Sequence, residues 1–246
     1  MKGVRLVRGP IGAYERLPHG EVELIARAGD GATSLYVSGA RATALRKPTA
    51  MSSAIVIRFH AAGAYPFFGV PMRALTDRFL SLDELWKGEP LPFTEKSDVT
   101  ADDVARLVET LARRLASGRV YDPATARGAR RALRRIREMP RLPQVVDLAS
   151  DIGASERQLR RAFDDVVGLS PKQYLRIVRF RRALAAARRK PRTSWCAIAA
   201  NTGYFDQAHL IADFRALTGK TPNALVLCDR GRRWDSRYRP DKNDNF

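Results

Sequence analysis

The spacing of apolar and polar positions changes character near the middle of the chain. Up to about residue 70 it is strand-like. Residues 21–26 and 34–37 read as short strands, and residues 54–60, Ala-Ile-Val-Ile-Arg-Phe-His, read as the clearest one, bounded by Ser52/Ser53 and by Ala61-Ala-Gly63. Residues 71–79 and 81–86 carry apolar stripes at helical spacing. Pro90 and Pro92 interrupt the chain before Thr100, which with Asp103 forms a T-x-x-D start signal. The helix it opens is expected to bury Val104, Leu107, Val108, Leu111 and Leu115 and to stop at Gly118. From Asp122 onward the period is helical: 129–139, 145–152, 155–167, 171–189, 194–202 and 206–218. The pattern predicts an α+β N-terminal domain over residues 1–118 and a linker over 119–128. An all-α domain over 129–228 and a basic, disordered tail over 229–246 complete it.

The helical half contains one unit twice. Ala149, Gly153, Ser155, Leu159, Phe163, Gly168 and Pro171 recur as Ala199, Gly203, Asp206, Leu210, Phe214, Gly219 and Pro222, so the second copy carries one additional turn residue. Each copy reads as helix, tight turn, helix. Gly153 and Gly203 fall where a chain leaving a helix adopts positive φ, at a cost of about 1 kcal/mol or more to a residue with a side chain. Ser155 and Gln158 form an S-x-x-Q capping box, and Asp206 is the equivalent cap with His209 in place of the glutamine. Leu159, Ala162, Phe163 and Val166 make one apolar stripe, and Leu210, Phe214 and Leu217 the other.

The faces left over differ. The first holds Glu156, Arg157, Arg160, Arg161 and Asp164; the second holds Gln207, Ala208, Ile211, Ala212 and Arg215. A helix-turn-helix sets the start of its second helix in the DNA major groove, where arginine bonds guanine, glutamine adenine and glutamate cytosine. Ala208 and Ile211 suit thymine methyls. The connector from Pro171 to Lys190 is about 20 residues and spans roughly 30 Å, close to the roughly 34 Å between successive major-groove faces. Lys172, Arg176 and Arg179 on it suit phosphate contacts.

Charge agrees with that reading. The formal net charge is +18, and the chain carries 17 basic and 13 acidic residues up to residue 120 against 27 and 13 after it, which calls for a polyanionic partner. Arginine runs at 130/131/134/135, 157/160/161, 179/181/182 and 188/189 with Lys190 lie inside helical patterns. The two cysteines, Cys196 and Cys228, make no disulfide framework or zinc cluster. Cys196 reads as a small buried hydrophobe, and three scattered histidines give no metal site. Without a signal peptide or membrane span in the pattern, a cytoplasmic protein is expected. There is no GxSxG, HExxH, GxxxxGK[ST] or GxGxxG, so neither an enzyme nor a cofactor is expected.

SERQLRRAFDDVVGLSPKQYLRIVRFRRAL followed by AIAANTGYFDQAHLIADFRALTGKTPNAL resembles the C-terminal DNA-binding domain of the AraC/XylS family of bacterial transcription regulators, over residues 128–227. The resemblance implies two helix-turn-helix subdomains joined by a long helix, binding two adjacent major-groove segments. Its base-reading positions correspond to Arg157, Arg160 and Arg161 and to Gln207, Ala208 and Ala212, with Ser155, Glu156, His209 and Arg215 beside them. The family often has arginine where this chain has Ala212, next to Asp213, so the second reader is expected to contribute less. LPHGEVELIARAGD and IRFHAAGAYPFFGVPMRALTDRFLSLDELW resemble, more loosely, an N-terminal domain of some of these regulators, without the opening segment that usually precedes them.

That domain is expected to sense a small molecule, to self-associate as a homodimer, or both. Arg58 and His60, two apart on a predicted strand near Tyr65, Phe67, Phe68 and Trp86, fit a ligand pocket and equally a core with a hydrogen-bonded histidine. The expected partners are double-stranded DNA, RNA polymerase and a small-molecule effector, with no membrane. Two alternatives stay open: an architectural DNA binder whose N-terminal domain only oligomerises, and an enzyme domain fused to a DNA reader.

Overall fold

Period-two alternation builds the N-terminal sheet. In the computed structural model, which describes residues 1–8, 13–29, 32–48, 52–93, 97–117, 125–191 and 193–231, β1 (Gly3–Arg8), β3 (Glu23–Gly29), β4 (Ala32–Ser38), β6 (Ser53–Arg58) and β7 (Phe79–Ser81) form an antiparallel sheet. Its order is β1-β6-β3-β4-β7. A two-stranded ribbon pairs β2 (Ala13–Arg16) with β5 (Leu45–Pro48). Leu24, Ala26, Leu35, Val37, Ile55 and Ile57 share one face and enter the main core. The other face carries Glu23, wholly buried, with Arg16 at the end of β2 reaching over to it at 3.2 Å and to the Ser38 hydroxyl. A buried carboxylate is held there by the cations that cover it.

Helices follow: α1 (Tyr65–Phe68), α2 (Leu82–Trp86), α3 (Ala101–Ala116), α4 (Ala126–Glu138), α5 (Val145–Asp151), α6 (Glu156–Val166), α7 (Pro171–Arg189), α8 (Trp195–Thr202), α9 (Gln207–Thr218) and α10 (Pro222–Gly231). The Thr100–Asp103 capping box starts α3 as its residues predict. Leu107 and Leu111 are buried and Val104 and Val108 half-buried, but Leu115 is exposed, since the last turn of α3 runs past the core. Gly118 and residues 119–124 of the expected linker lie outside the described residues. α4 begins at Ala126, inside the stretch expected to be linker.

Two elements depart from the sequence pattern. The strand predicted over 54–60 ends at Arg58. The helix predicted over 71–79 is a single 3-10 turn, Met72–Ala74, followed by β7. Its backbone groups are claimed elsewhere: the Asp77 amide donates to the Ala40 carbonyl, the Gly39 amide to the Arg78 carbonyl, and Asp77 has φ of 57°. Gly39 is pressed so close to Leu75 that a Cβ would meet its carbonyl oxygen at 1.8 Å. The pattern also missed the edge strand β1, the ribbon, α1 and α10. Proline at the first turn of α10 continues the chain as helix to Gly231, three residues into the expected tail; residues 232–246 lie outside the described residues.

Two hydrophobic clusters meet on α7. The larger runs from the sheet through α3, α4, α5 and α6 to Tyr174, Leu175, Ile177 and Val178. The smaller gathers Phe180, Ala183, Leu184 and Ala187 with Ile198, Ala199, Tyr204, Leu210, Phe214, Leu217 and Leu225. One helix is thus the shared wall of both helix-turn-helix units.

Candidate nucleic-acid interface

In the first unit α5 buries Leu148 and Ala149, and the chain turns at Gly153 with φ of 68°. The Ser155 hydroxyl then accepts from the Gln158 amide at 3.2 Å while Gln158 Oε1 accepts from the Ser155 amide at 2.8 Å, closing the predicted capping box. Leu159, Ala162, Phe163 and Val166 are buried, as their spacing requires. On the opposite side Glu156, Arg157, Arg160 and Arg161 are exposed. Asp164 is half-buried, and desolvation raises its pKa against the opposing pull of Arg160 and Arg73.

The second unit repeats the geometry. Ser194 caps α8, Gly203 turns the chain at φ of 83°, and Asp206 Oδ1 accepts from the His209 amide at 2.7 Å to start α9. Gln207, Ala208, His209, Ala212 and Arg215 are exposed, and His209 packs edge-on against Tyr204. Ile211 is half-buried against the smaller core. The additional turn residue of this copy is Phe205, which is 91% exposed immediately before the cap of α9. This exposed aromatic before α9 is not among the residues the sequence pattern singles out, although the one-residue offset between the copies marks its position. Cys196, expected to be buried, is exposed, because Ile198 and Ala199 supply the inward face of α8.

The connector arginines have partners within the protein. Arg176 pairs with the buried Asp213 carboxylate, which also accepts from the Tyr204 hydroxyl at 2.9 Å. That burial and the adjacent carboxylate push the Tyr204 pKa up. Arg179 lies 4.8 Å over the Tyr204 ring and donates to the Gly203 carbonyl. Arg182 donates to the carbonyls of Ile136, Met139 and Pro140 at 2.9 Å each, tying α7 to the C-terminal end of α4, where a cation is favoured. Lys172 is exposed.

The aromatic residues named for a ligand pocket gather in the core, but Arg58 and His60 do not join them. Arg58 turns to the sheet face that holds Glu23, bonding its carboxylate at 2.7 Å. Tyr65 and Trp86 belong to the core on the opposite face, the Trp86 indole donating to the carbonyl of half-buried Phe67. His60 is exposed beyond the end of β6. A cleft of about 330 Å³ lies instead between β4 and β7, lined in part by Tyr36, Phe79, Leu80 and Leu91.

Two capped helices with exposed polar faces, carried on one long helix, define a double helix-turn-helix protein. A model described as Helix-turn-helix domain matches residues 148–226, and one described as Domain of unknown function (DUF6597) matches residues 8–81. Residues 148–226 therefore carry a helix-turn-helix domain, which agrees with the resemblance of this half of the chain to the AraC-type DNA-binding transcription regulators. No curated protein matches it. Among solved structures it is similar to a transcriptional regulator with an AraC-type DNA-binding domain from Chromobacterium violaceum (23% identity over 46% of this chain and 99% of that one, TM-score 0.39). It is also similar to the DNA-binding domain of AdpA in complex with a target DNA (26% identity, 46% and 97%, TM-score 0.36). ToxT from Vibrio cholerae aligns over 92% of this chain and 97% of its own at 7% identity, with a TM-score of 0.46. Among the described residues no helix is long and apolar enough to cross a membrane.

Proposed function

We propose that this protein reads two successive major-groove segments of one DNA site, α6 as a charged reader and α9 as a largely neutral one, under the control of a small molecule acting through the N-terminal domain. The observation that carries the reading is the pair of similarly built helix starts, Gly153–Ser155 and Gly203–Asp206, each a positive-φ glycine followed by a side-chain cap, on a 19-residue connector. At 1.5 Å per residue that helix is roughly 28 Å long, commensurate with one turn of the double helix. Arg157, Arg160 and Arg161 contact bases from the first unit; Gln207, Ala208 and Ala212 do so from the second, with His209, Arg215 and Phe205 at the margins. Lys172 and Ser155 lie against the DNA backbone, and Glu156 reaches the bases beside the arginines. Arg176 and Arg179 act one step removed, by fixing the second unit to the connector.

Control through the N-terminal domain is supported by its contacts with both units. Arg73 pairs with Asp165 at 2.5 Å, Thr76 bonds the Gly168 carbonyl, and the Ala44 amide donates to the Leu217 carbonyl at 2.7 Å. A ligand that shifts this domain shifts the spacing of the readers.

Footprinting and titration on the native site test the reading. Arg157→Ala or Arg161→Ala is expected to weaken specific binding by about 1–3 kcal/mol for each lost bidentate base contact, while Ala212→Arg leaves it equal or tighter. Unchanged affinity in both arginine variants defeats the assignment of α6. A ratio near unity between site and random DNA at fixed salt returns the architectural reading.

A further inference from the structure

α4 carries six arginines in thirteen residues, 127, 130, 131, 134, 135 and 137, with Glu138 as its one acidic residue. Ala129, Ala132, Leu133 and Ile136 are buried in the core that α4 shares with α6, so the arginines turn away from that recognition helix. Arg135 is neutralised by Asp151 at 3.3 Å and Glu138 at 4.0 Å. Among the described residues, Arg127, Arg130, Arg131, Arg134 and Arg137 have no carboxylate within ion-pair distance. Like charges three and four residues apart destabilise a helix, by about 0.2–0.5 kcal/mol per pair. Among the described residues, then, this face has no counter-charge.

The face is also concave. Arg130, Arg131, Arg134, Arg137 and Glu138 line a cleft of about 400 Å³, within the size range of small-molecule sites. The cleft borders the N-terminal domain: the Arg130 guanidinium lies 5.3 Å over the Tyr65 ring, and Arg137 is among the charges felt by His60. Each guanidinium offers five donors in a planar fork that matches phosphate oxygens two at a time. Four such forks round one hollow suit a compact ligand with several phosphate oxygens, and Glu138 suits a hydroxyl on the same ligand.

We infer that this cleft binds a small molecule carrying two or more phosphates, at the junction of the N-terminal domain and the first unit. The inference deepens the effector-controlled reading above by giving the effector a place and a chemistry; its regulatory meaning rests on that reading, and the binding does not. A long nucleic acid is the less favoured occupant, because the DNA-reading arginines of α6 lie on the other side of the α4–α6 packing.

Isothermal titration of the full chain with sodium pyrophosphate, at fixed ionic strength and with inorganic phosphate as control, tests it. The expected result is saturable one-to-one binding at least about tenfold tighter than phosphate, since a second phosphate engages further guanidinium forks. Arg131→Ala/Arg134→Ala should lose about tenfold or more of that affinity, and Arg157→Ala/Arg161→Ala should keep it. All four positions are exposed, and equal thermal midpoints check that each variant folds. No saturable binding, or loss confined to the Arg157/Arg161 variant, overturns the site. So does a fall in DNA affinity with a shallower salt dependence in the Arg131/Arg134 variant, which would make these arginines contacts to the DNA backbone. Failure of the wild-type chain to bind DNA specifically would defeat the earlier reading and leave the pyrophosphate result to decide this one.

Discussion

The two helix-turn-helix units share a sequence plan and differ in what holds them. The first is sealed into the large core, with apolar Ala162 at the position that corresponds to Asp213 and with the N-terminal domain pressed on its end at Gly168. The second has a small core of its own and adds a polar tie, Arg176 to Asp213 to Tyr204, between α7, α9 and the turn. The difference teaches that one repeated unit can be stabilised by a neighbouring domain or by internal hydrogen bonding. The first unit is therefore expected to depend on the N-terminal domain more than the second, which that domain touches through Ala44 and Leu17.

The corresponding glycines give the strongest way to break that comparison. Gly168 and Gly219 both have positive φ, 86° and 69°. A Cβ on Gly219 meets nothing within 4 Å, whereas one on Gly168 would lie 2.7 Å from the Met72 carbonyl oxygen and 2.8 Å from Thr76 Oγ1. Gly219→Ala should cost about 1–2 kcal/mol of backbone strain, and Gly168→Ala about 3 kcal/mol or more, because the N-terminal domain must also move. Urea unfolding of the two variants decides it; equal losses would mean that the domain seam contributes nothing to the first unit.

Next in size is the polar tie. Arg176→Met leaves the Asp213 carboxylate buried with the Tyr204 hydroxyl as its remaining partner, at a cost of about 2 kcal/mol once the partial exposure of Arg176 is allowed for. The double variant Arg176→Met/Asp213→Ala is expected to recover part of that loss, as a double-mutant cycle would record. Strictly additive losses would deny that the pair acts as a unit.

Those two contrasts also mark what could be read from residues alone. The repeat, its caps and its apolar stripes were legible because they obey local rules: a glycine with positive φ, a hydroxyl three residues before a glutamine, a 3.6-residue period. The resulting helices lie within a few residues of their expected ends. What was not legible depends on distant partners. Asp213 looked like a charge beside a recognition face until Arg176 and Tyr204 came to it. The segment after Pro71 had a helical stripe, yet its backbone bonds went to the turn at residues 39–40. Arg58 and Tyr65 seemed neighbours in sequence, but the strand's alternation turns Arg58 away from the core that Tyr65 of α1 enters.

The reading helices and the connector should differ in salt dependence. Removing a phosphate-contacting cation lowers the slope of log affinity against log salt by about one, whereas an arginine bonded to a base edge mainly relaxes sequence preference, by about 1–3 kcal/mol at its base pair. Arg157→Ala is expected to do the second and Lys172→Ala the first. In the neutral unit Gln207→Ala should relax discrimination with no change in slope. Titrations at several salt concentrations on matched and mismatched sites separate these outcomes, and an identical pattern for all three variants would dissolve the distinction between base-reading and backbone-contacting residues.

The smallest effect concerns the seam itself. His19 is buried, its Nδ1 accepting from the Glu21 amide at 3.2 Å. Burial first, then the charges of Arg16, Arg58, Arg181 and Arg41, hold its pKa well below the ordinary 6.5. Arg181 belongs to α7, and neighbouring Gly20 is packed so tightly on Tyr174 that a Cβ would meet the ring at 2.3 Å, so His19 stands where the N-terminal domain meets the connector. The unfolded chain takes up a proton here below about pH 6.5 and the folded chain does not. The stability this site contributes is therefore complete above that pH and declines as the pH falls beneath it, by up to about 1.4 kcal/mol per pH unit for one proton. His19→Asn keeps an acceptor for the Glu21 amide and removes the titration. Its unfolding free energy should fall less steeply than that of the parent between about pH 6.5 and pH 5, and parallel curves for the two proteins would show that the histidine does not stay neutral in the fold.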